Sequence, residues 1–274
     1  MSEEDRAHPF RHSAEDAAEA QTTPDTPQTR NPAYRLAYTD TDFLLREDLR
    51  PIRFQLELLK TQTILDERGV ESTVVMFGGA RIPAPEHADT ARTETLASLS
   101  KYYTQAEEFA RIMTARSLET YGRDFVICTG GGPGVMEAGN KGAHEAGGQS
   151  IGLSIVLPHE QAPNLYVTPD LSFNFHYFAI RKMHFLMRAR AITIFPGGFG
   201  TLDEMFETLT LIQTGRMKRI PFILFGRDFW DEIINWKALA RSGTISDEDL
   251  DLIAYAETAE EAAAIIDNWP QSAC

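Results

Sequence analysis

Three apolar runs in this chain stop at glycine clusters, and a helical pattern follows each of them. Thr73–Phe77 leads to Gly78 and Gly79, residues 125–128 lead to Gly130, Gly131, Gly132 and Gly134, and residues 191–195 lead to Pro196, Gly197, Gly198 and Gly200. A short apolar run closed by glycine, then apolar residues at spacings of three and four, reads as strand, turn and helix. The same alternation continues along the chain. Further strands are expected at Ser150–Ile155, 171–175 and 221–225. Helices are expected at 89–119, Val135–Glu145, 178–190, from just after Thr201 to about 214, at 228–241 and at 258–267. Strands alternating with helices specify an α/β class fold, here a Rossmann-like doubly wound parallel sheet flanked by helices on both faces. Ligands in such folds bind outside the carboxyl ends of the strands. Three glycine turns, all after strands, would therefore line one edge of the sheet and form a nucleotide or sugar-phosphate cleft.

Residues 1–31 are polar and charged with few large apolar side chains, and are expected to form a disordered tail. Residues 32–70 are expected to form a leading helical segment, with helical periodicity over 42–68 and Pro51 as a break or a new start. Residues 71–270 are expected to be one Rossmann-like domain, since no repeat and no clean linker interrupts them.

The net charge of −14 argues against general binding to nucleic acid or to an anionic membrane. A phosphate ligand would have to be held by a local positive site, against the field of the whole chain. No apolar stretch approaches the ~20 residues of a membrane span, and the N-terminus has no apolar signal-peptide core. Cys128 sits in an apolar run and reads as a small core residue, and Cys274 ends the chain. With no disulfide framework, a cytoplasmic location is expected.

The segment Phe195-Pro196-Gly197-Gly198-Phe199-Gly200-Thr201-Leu202-Asp203-Glu204 concentrates the chemistry. Amides at a helix start are unpaired and partly positive, so they suit a phosphate, and glycines let it approach the backbone. Glu204 follows one turn into the helix. Other machineries are poorly matched. There is no P-loop, no full dinucleotide fingerprint at Gly78-Gly79-Ala80-Arg81-Ile82-Pro83, and no nucleophile elbow. No Cys/His cluster has zinc spacing, and His176 and His184 read as structural or surface residues.

Gly130-Gly131-Gly132-Pro133-Gly134-Val135-Met136-Glu137-Ala138 and Pro196-Gly197-Gly198-Phe199-Gly200-Thr201-Leu202-Asp203-Glu204 resemble the two signature motifs of the LOG ("Lonely guy") family. Tyr177-Phe178-Ala179-Ile180-Arg181-Lys182 resembles the Arg-Lys helix between them. The resemblance runs from about 73 to 226. It implies a nucleoside 5′-monophosphate phosphoribohydrolase that frees a base from AMP or a cytokinin riboside monophosphate and leaves ribose 5-phosphate. Many members were once labelled lysine decarboxylases, with no pyridoxal-binding chemistry legible behind that label here. The resemblance assigns the catalytic pair to Arg181 and Glu204, requires no metal or organic cofactor, and implies a homo-oligomer, as dimers or larger rings. Phe77-Gly78-Gly79-Ala80-Arg81 stands where shorter plant-type members usually have Cys-Gly-Ser-Ser, which favours AMP over a hormone precursor.

In physical terms, breaking an N-glycosidic bond builds positive charge on the sugar ring. Glu204 would stabilise that charge or activate water. The amides of Gly197 to Thr201, with Pro196 leading in, would grip the phosphate and supply binding energy away from the reacting bond. Arg181 would pair with the phosphate or with charge on the departing base. Gly79 and Arg81, and the loop Gly130, Gly131, Gly132 and Gly134, would let the nucleotide lie on the backbone, with Met136 against the base and Glu137 near the ribose.

Each reading has a plainer counterpart. Thr201-x-x-Glu204 is also a capping-box pattern. Arg181 near Lys182, Arg188 and Arg190 reads as a solvated basic face as well. Arg81 could cap a turn, Met136 could be core, and Glu137 could complement a helix dipole. A carrier without turnover is the alternative function, because molybdenum cofactor carriers resemble this fold and share a Pro-Gly-Gly-x-Gly-Thr loop. A dehydrogenase is a weaker third.

Overall fold

The computed structural model describes residues 10–158 and 162–270. Cys274 lies outside the described residues. The chain divides into two units, with the boundary after Leu56.

In the first unit, within the span expected to be a tail, helix α1 (Ser13–Ala20) buries none of its residues. Helix α2 (Thr41–Leu44) follows, started by Asp40, whose carboxylate accepts from the amides of Asp42 and Phe43. Helix α3 (Arg50–Glu67) begins next, with Pro51 in its first turn, where a missing N–H costs nothing.

The second unit is built on β1 (Thr73–Phe77), β2 (Val126–Thr129), β3 (Ser150–Ile155), β4 (Ser172–Phe175), β5 (Ala189–Ile194), β6 (Phe222–Phe225) and β7 (Ala254–Ala256). All six pairings are parallel, in the order β4-β3-β2-β1-β5-β6-β7. The expected α/β class and doubly wound sheet are observed. The chain walks outward from β1 to β4, then returns to the other side of β1 as β5. That reversal places a switch point between β1 and β5, where Val75 aligns with Ile192 and Phe77 with Ile194.

Central strands buried on both faces are apolar at most positions. β1 divides its side chains between two cores. Val74 and Met76 pack with the helices α5 (Lys101–Glu119), α6 (Val135–Glu145) and α11 (Ala259–Asp267). Val75 and Phe77 pack on the opposite face, with Leu65 of α3 and with α7 (Phe178–Met187), α8 (Phe199–Gln213), α9 (Arg227–Ile233) and α10 (Trp236–Arg241). Cys128 is buried in that second core, as expected.

Several expected boundaries shift, each for a local reason. The long helix expected over 89–119 is broken. A 3-10 turn at Pro85–Thr90 and a short helix α4 (Glu94–Ser98) precede α5, and Thr93 starts α4 by accepting from the Leu96 amide. The helix expected over 228–241 is two helices. Ile234 is extended, and the Asn235 side chain caps α10 through the Ala238 amide. α8 starts at Phe199, not after Thr201, with Gly198 as its N-cap. β7 has no counterpart among the sequence expectations, since three residues at a sheet edge carry too little pattern.

Candidate active site

A cavity of about 970 Å³ opens at the carboxyl ends of the central strands. The glycine turns after β1, β2 and β5 all reach it, through Gly78 and Gly79, Gly130, and Pro196 to Gly200. Of the other residues singled out from the sequence, Arg81, Met136, Arg181, Thr201 and Glu204 also line it. Gly131, Gly132, Gly134 and Glu137 do not.

Packing separates the glycines into two kinds. A Cβ on Gly134, at φ +68°, would lie 2.4 Å from the Gly79 oxygen, and one on Gly78 would lie 2.5 Å from Val135 Cγ1. These two glycines let the β1 and β2 turns close on each other. A Cβ on Gly130 would meet the Arg181 guanidinium at 2.7 Å and Met136 Sδ at 2.8 Å. Gly197 gives room to Thr201 Oγ1. At Gly198 and Gly200 a Cβ would meet nothing within 4 Å, and neither has positive φ. Protein packing therefore does not account for glycine there, and the space beside both is open.

The β2 turn is held from within. Thr129 Oγ1 accepts from the Gly131 amide at 2.9 Å and donates to Asn140 Oδ1 at 2.7 Å. Asn164 Nδ2 donates to the carbonyls of Gly131 and Gly132 and to Asn140 Oδ1. This buried network spends the polar groups of the turn on the fold, which is why most of it stays out of the cavity. Glu137 is likewise engaged, accepting from Tyr103 Oη at 3.0 Å. The network residues Thr129, Asn140 and Asn164 carried no sequence signal, because their meaning depends on a loop folding back over β3.

Arg181 lies on α7, half-buried rather than on a solvated face. Its Nε donates to the Leu153 carbonyl at 2.7 Å, and its guanidinium stands 5.1 Å from the Phe185 ring centroid. The start of α7 is fixed by Glu57, whose two carboxylate oxygens accept from the amides of His176 and Tyr177. His184, further along α7, is buried against Phe175, consistent with the structural reading.

Glu204 is 5% exposed. The capping-box alternative fails: Gly198 is the N-cap, no side chain caps α8, and Thr201 is already the third helical residue. The first turn of α8 also carries no acidic residue. Among the described residues, the Glu204 carboxyl has no hydrogen-bond partner. Burial pushes its pKa up from 4.5 to about 7, while Arg181 and Lys182 pull it down. A carboxyl that titrates near neutrality inside a cavity is suited to proton transfer. Lys182 binds Asp203 and Glu207. Arg81 and Arg92, both at the cavity wall, have no ion-pair partner among the described residues. They are local positive charges in a chain of net −14.

The fold and cavity thus define an open α/β protein with an uncapped helix start and a buried acid at its topological switch point. The family model described as "Possible lysine decarboxylase" matches residues 136–266. A pyrimidine/purine nucleotide 5′-monophosphate nucleosidase of Escherichia coli (strain K12) is 34% identical over 119 residues, 38% of this chain and 25% of that protein. The match to that relative therefore spans about a quarter of its length. A cytokinin riboside 5′-monophosphate phosphoribohydrolase, LOG, of Oryza sativa subsp. japonica is 26% identical over 165 residues, 59% of this chain and 64% of that protein. The molybdenum cofactor binding protein from Rippkaea orientalis is a structural neighbour at TM-score 0.48 and 19% identity, covering 72% of this chain and 96% of that one. The resemblance to the LOG family read from the glycine motifs is shown by the family model and these sequence relatives.

No helix among the described residues is long and apolar enough to cross a membrane.

Proposed function

We propose that this protein hydrolyses the N-glycosidic bond of a purine nucleoside 5′-monophosphate, AMP being the first candidate, to free base and ribose 5-phosphate. One observation carries the reading: a buried carboxyl with no hydrogen-bond partner among the described residues shares a cavity with the uncapped start of α8. The names of the sequence relatives support the same reaction class.

In this reading the phosphate sits on the amides of Gly198 to Thr201, where helix-start charge is positive and Gly198 and Gly200 leave the approach open. That anchor brings the anomeric carbon toward Glu204. Charge building on the sugar ring is stabilised by the carboxylate, which also takes a proton from the attacking water. The C–N bond breaks, the electron pair leaves with the base, and Arg181 offsets the developing negative charge. Water supplies the hydroxyl at the anomeric carbon and the proton that the base finally carries. Arg81 and Arg92 add positive charge at the wall, and Met136 packs against the base. The family resemblance adds a homo-oligomer to the proposal.

Incubation with AMP should release adenine, and Glu204→Gln should lower turnover by ~10²–10³ with the fold retained. Adenosine should be a very poor substrate, and equal rates on AMP and adenosine would remove the phosphate anchor from the argument. Tight nucleotide binding with no base released would favour a carrier instead.

A further inference from the structure

Lys182 follows Arg181 on α7, yet it is engaged elsewhere. Its Nζ lies 2.9 Å from Asp203 Oδ1 and 2.8 Å from Glu207 Oε2. The lysine side chain is 17% exposed, against 54% for Asp203 and 36% for Glu207. The two carboxylates are four residues apart on α8, so they share a helix face and repel each other when unpaired. Glu204 adjoins Asp203 in the chain and precedes Glu207 by three. Three acidic groups therefore crowd a little over one turn of α8.

The charged groups acting on Glu204 come from two elements. Arg181 and Lys182 on α7 favour its carboxylate form, and Asp203 and Glu207 on α8 oppose it. Ion pairs as exposed as these contribute little to stability. Their effect on a buried carboxyl beside them is larger, because burial weakens the screening by water.

We infer that Lys182 is a positioning residue for the charge state of Glu204: held between Asp203 and Glu207, its ammonium offsets the negative charge that would otherwise keep a proton on Glu204. Arg181 and Lys182 then divide the work of α7. The arginine faces the cavity, while the lysine neutralises the outer carboxylates of α8. Only the consequence for turnover rests on the nucleosidase reading, and the electrostatic claim stands without it.

The test follows the carboxyl ¹³C resonance of Glu204 against pH in the full-length, ligand-free protein, assigned by its loss in Glu204→Gln. Lys182→Met should raise the titration midpoint by about one pH unit or more. Lys182→Arg should leave it near the original value. Adding Asp203→Asn and Glu207→Gln to Lys182→Met should bring the midpoint back. Asp203→Asn alone, at an exposed site that leaves folding intact, should lower it. An unmoved midpoint in Lys182→Met would overturn the inference. So would a raised midpoint that persists undiminished in the triple variant, since Asp203 and Glu207 would then carry no part of the effect. Because no substrate is present, failure of AMP cleavage and failure of this inference are read separately.

Discussion

Glu204 is where structure and chemistry pull against each other. Its folded pKa, near 7, lies above the 4.5 of an exposed glutamate. Between those values the folded state holds more protons than the unfolded one, so stability falls as pH rises through that window and stays lower above it. The loss is on the order of 3 kcal/mol. Glu204→Gln, which cannot ionise, should therefore show a melting-temperature advantage over the native protein that grows from about pH 5 to about pH 8. A constant difference across that range would mean that the carboxyl is not held in its acid form. The rate should carry the opposite sign. Turnover of AMP should rise through a limb near pH 7, because the carboxylate is the working form, and the residual rate of Glu204→Gln should lack that limb.

At the scale of elements, α8 and the turn before it join the sheet to the cavity. Gly200 is the second residue of α8 and has open space where a side chain would stand. Alanine is the better helix former by up to about 1 kcal/mol. Gly200→Ala should leave the melting temperature unchanged or slightly higher, while raising KM for AMP, because the new methyl meets the bound phosphate. A fall in both stability and affinity would show instead that the glycine serves the fold. The β2 turn should behave in the opposite way. Asn164→Ala removes the side-chain donor shared by Gly131, Gly132 and Asn140. Gly131 keeps the Asn164 amide and Asn140 keeps Thr129 Oγ1, so the buried Gly132 carbonyl is the acceptor that loses its bond, at a cost of about 1–3 kcal/mol. Thermal unfolding should register that loss directly. Much of this level was legible in advance. Thr73–Phe77, Ser150–Ile155 and Val135–Glu145 stand where the apolar patterns placed them. The misplaced boundaries lie where a capping side chain, as at Thr93 and Asn235, starts a new helix inside a stretch that periodicity alone reads as continuous.

For the whole molecule, the switch point between β1 and β5 decides where binding free energy enters the folded state. Anything held there in the native state alone adds RT ln(1 + [L]/Kd) to stability, about 2.7 kcal/mol at a hundredfold excess over Kd. Ribose 5-phosphate should accordingly raise the melting temperature, and adenosine at the same concentration should raise it much less. Gly200→Ala should blunt the response to ribose 5-phosphate. Equal shifts with both ligands would place the dominant contacts on the base. The net charge of −14 sharpens this test, because the long-range field opposes an anion and any gain must come from the local amides and arginines.

The order of strands and helices, the three glycine turns at one sheet edge, and the place of Glu204 in the helix after the last of them were all written in local patterns. Each depends on residues a few positions apart. Three things waited for the tertiary structure. One is which glycines serve packing and which leave a path for a ligand, since that turns on atoms from other loops. Another is the removal of Glu137 from the cavity by Tyr103, thirty-four residues away. The last is the proton affinity of Glu204, set by burial between strands and helices and by charges on α7 and α8. Desolvation and packing are properties of surroundings, and a chain acquires its surroundings only by folding.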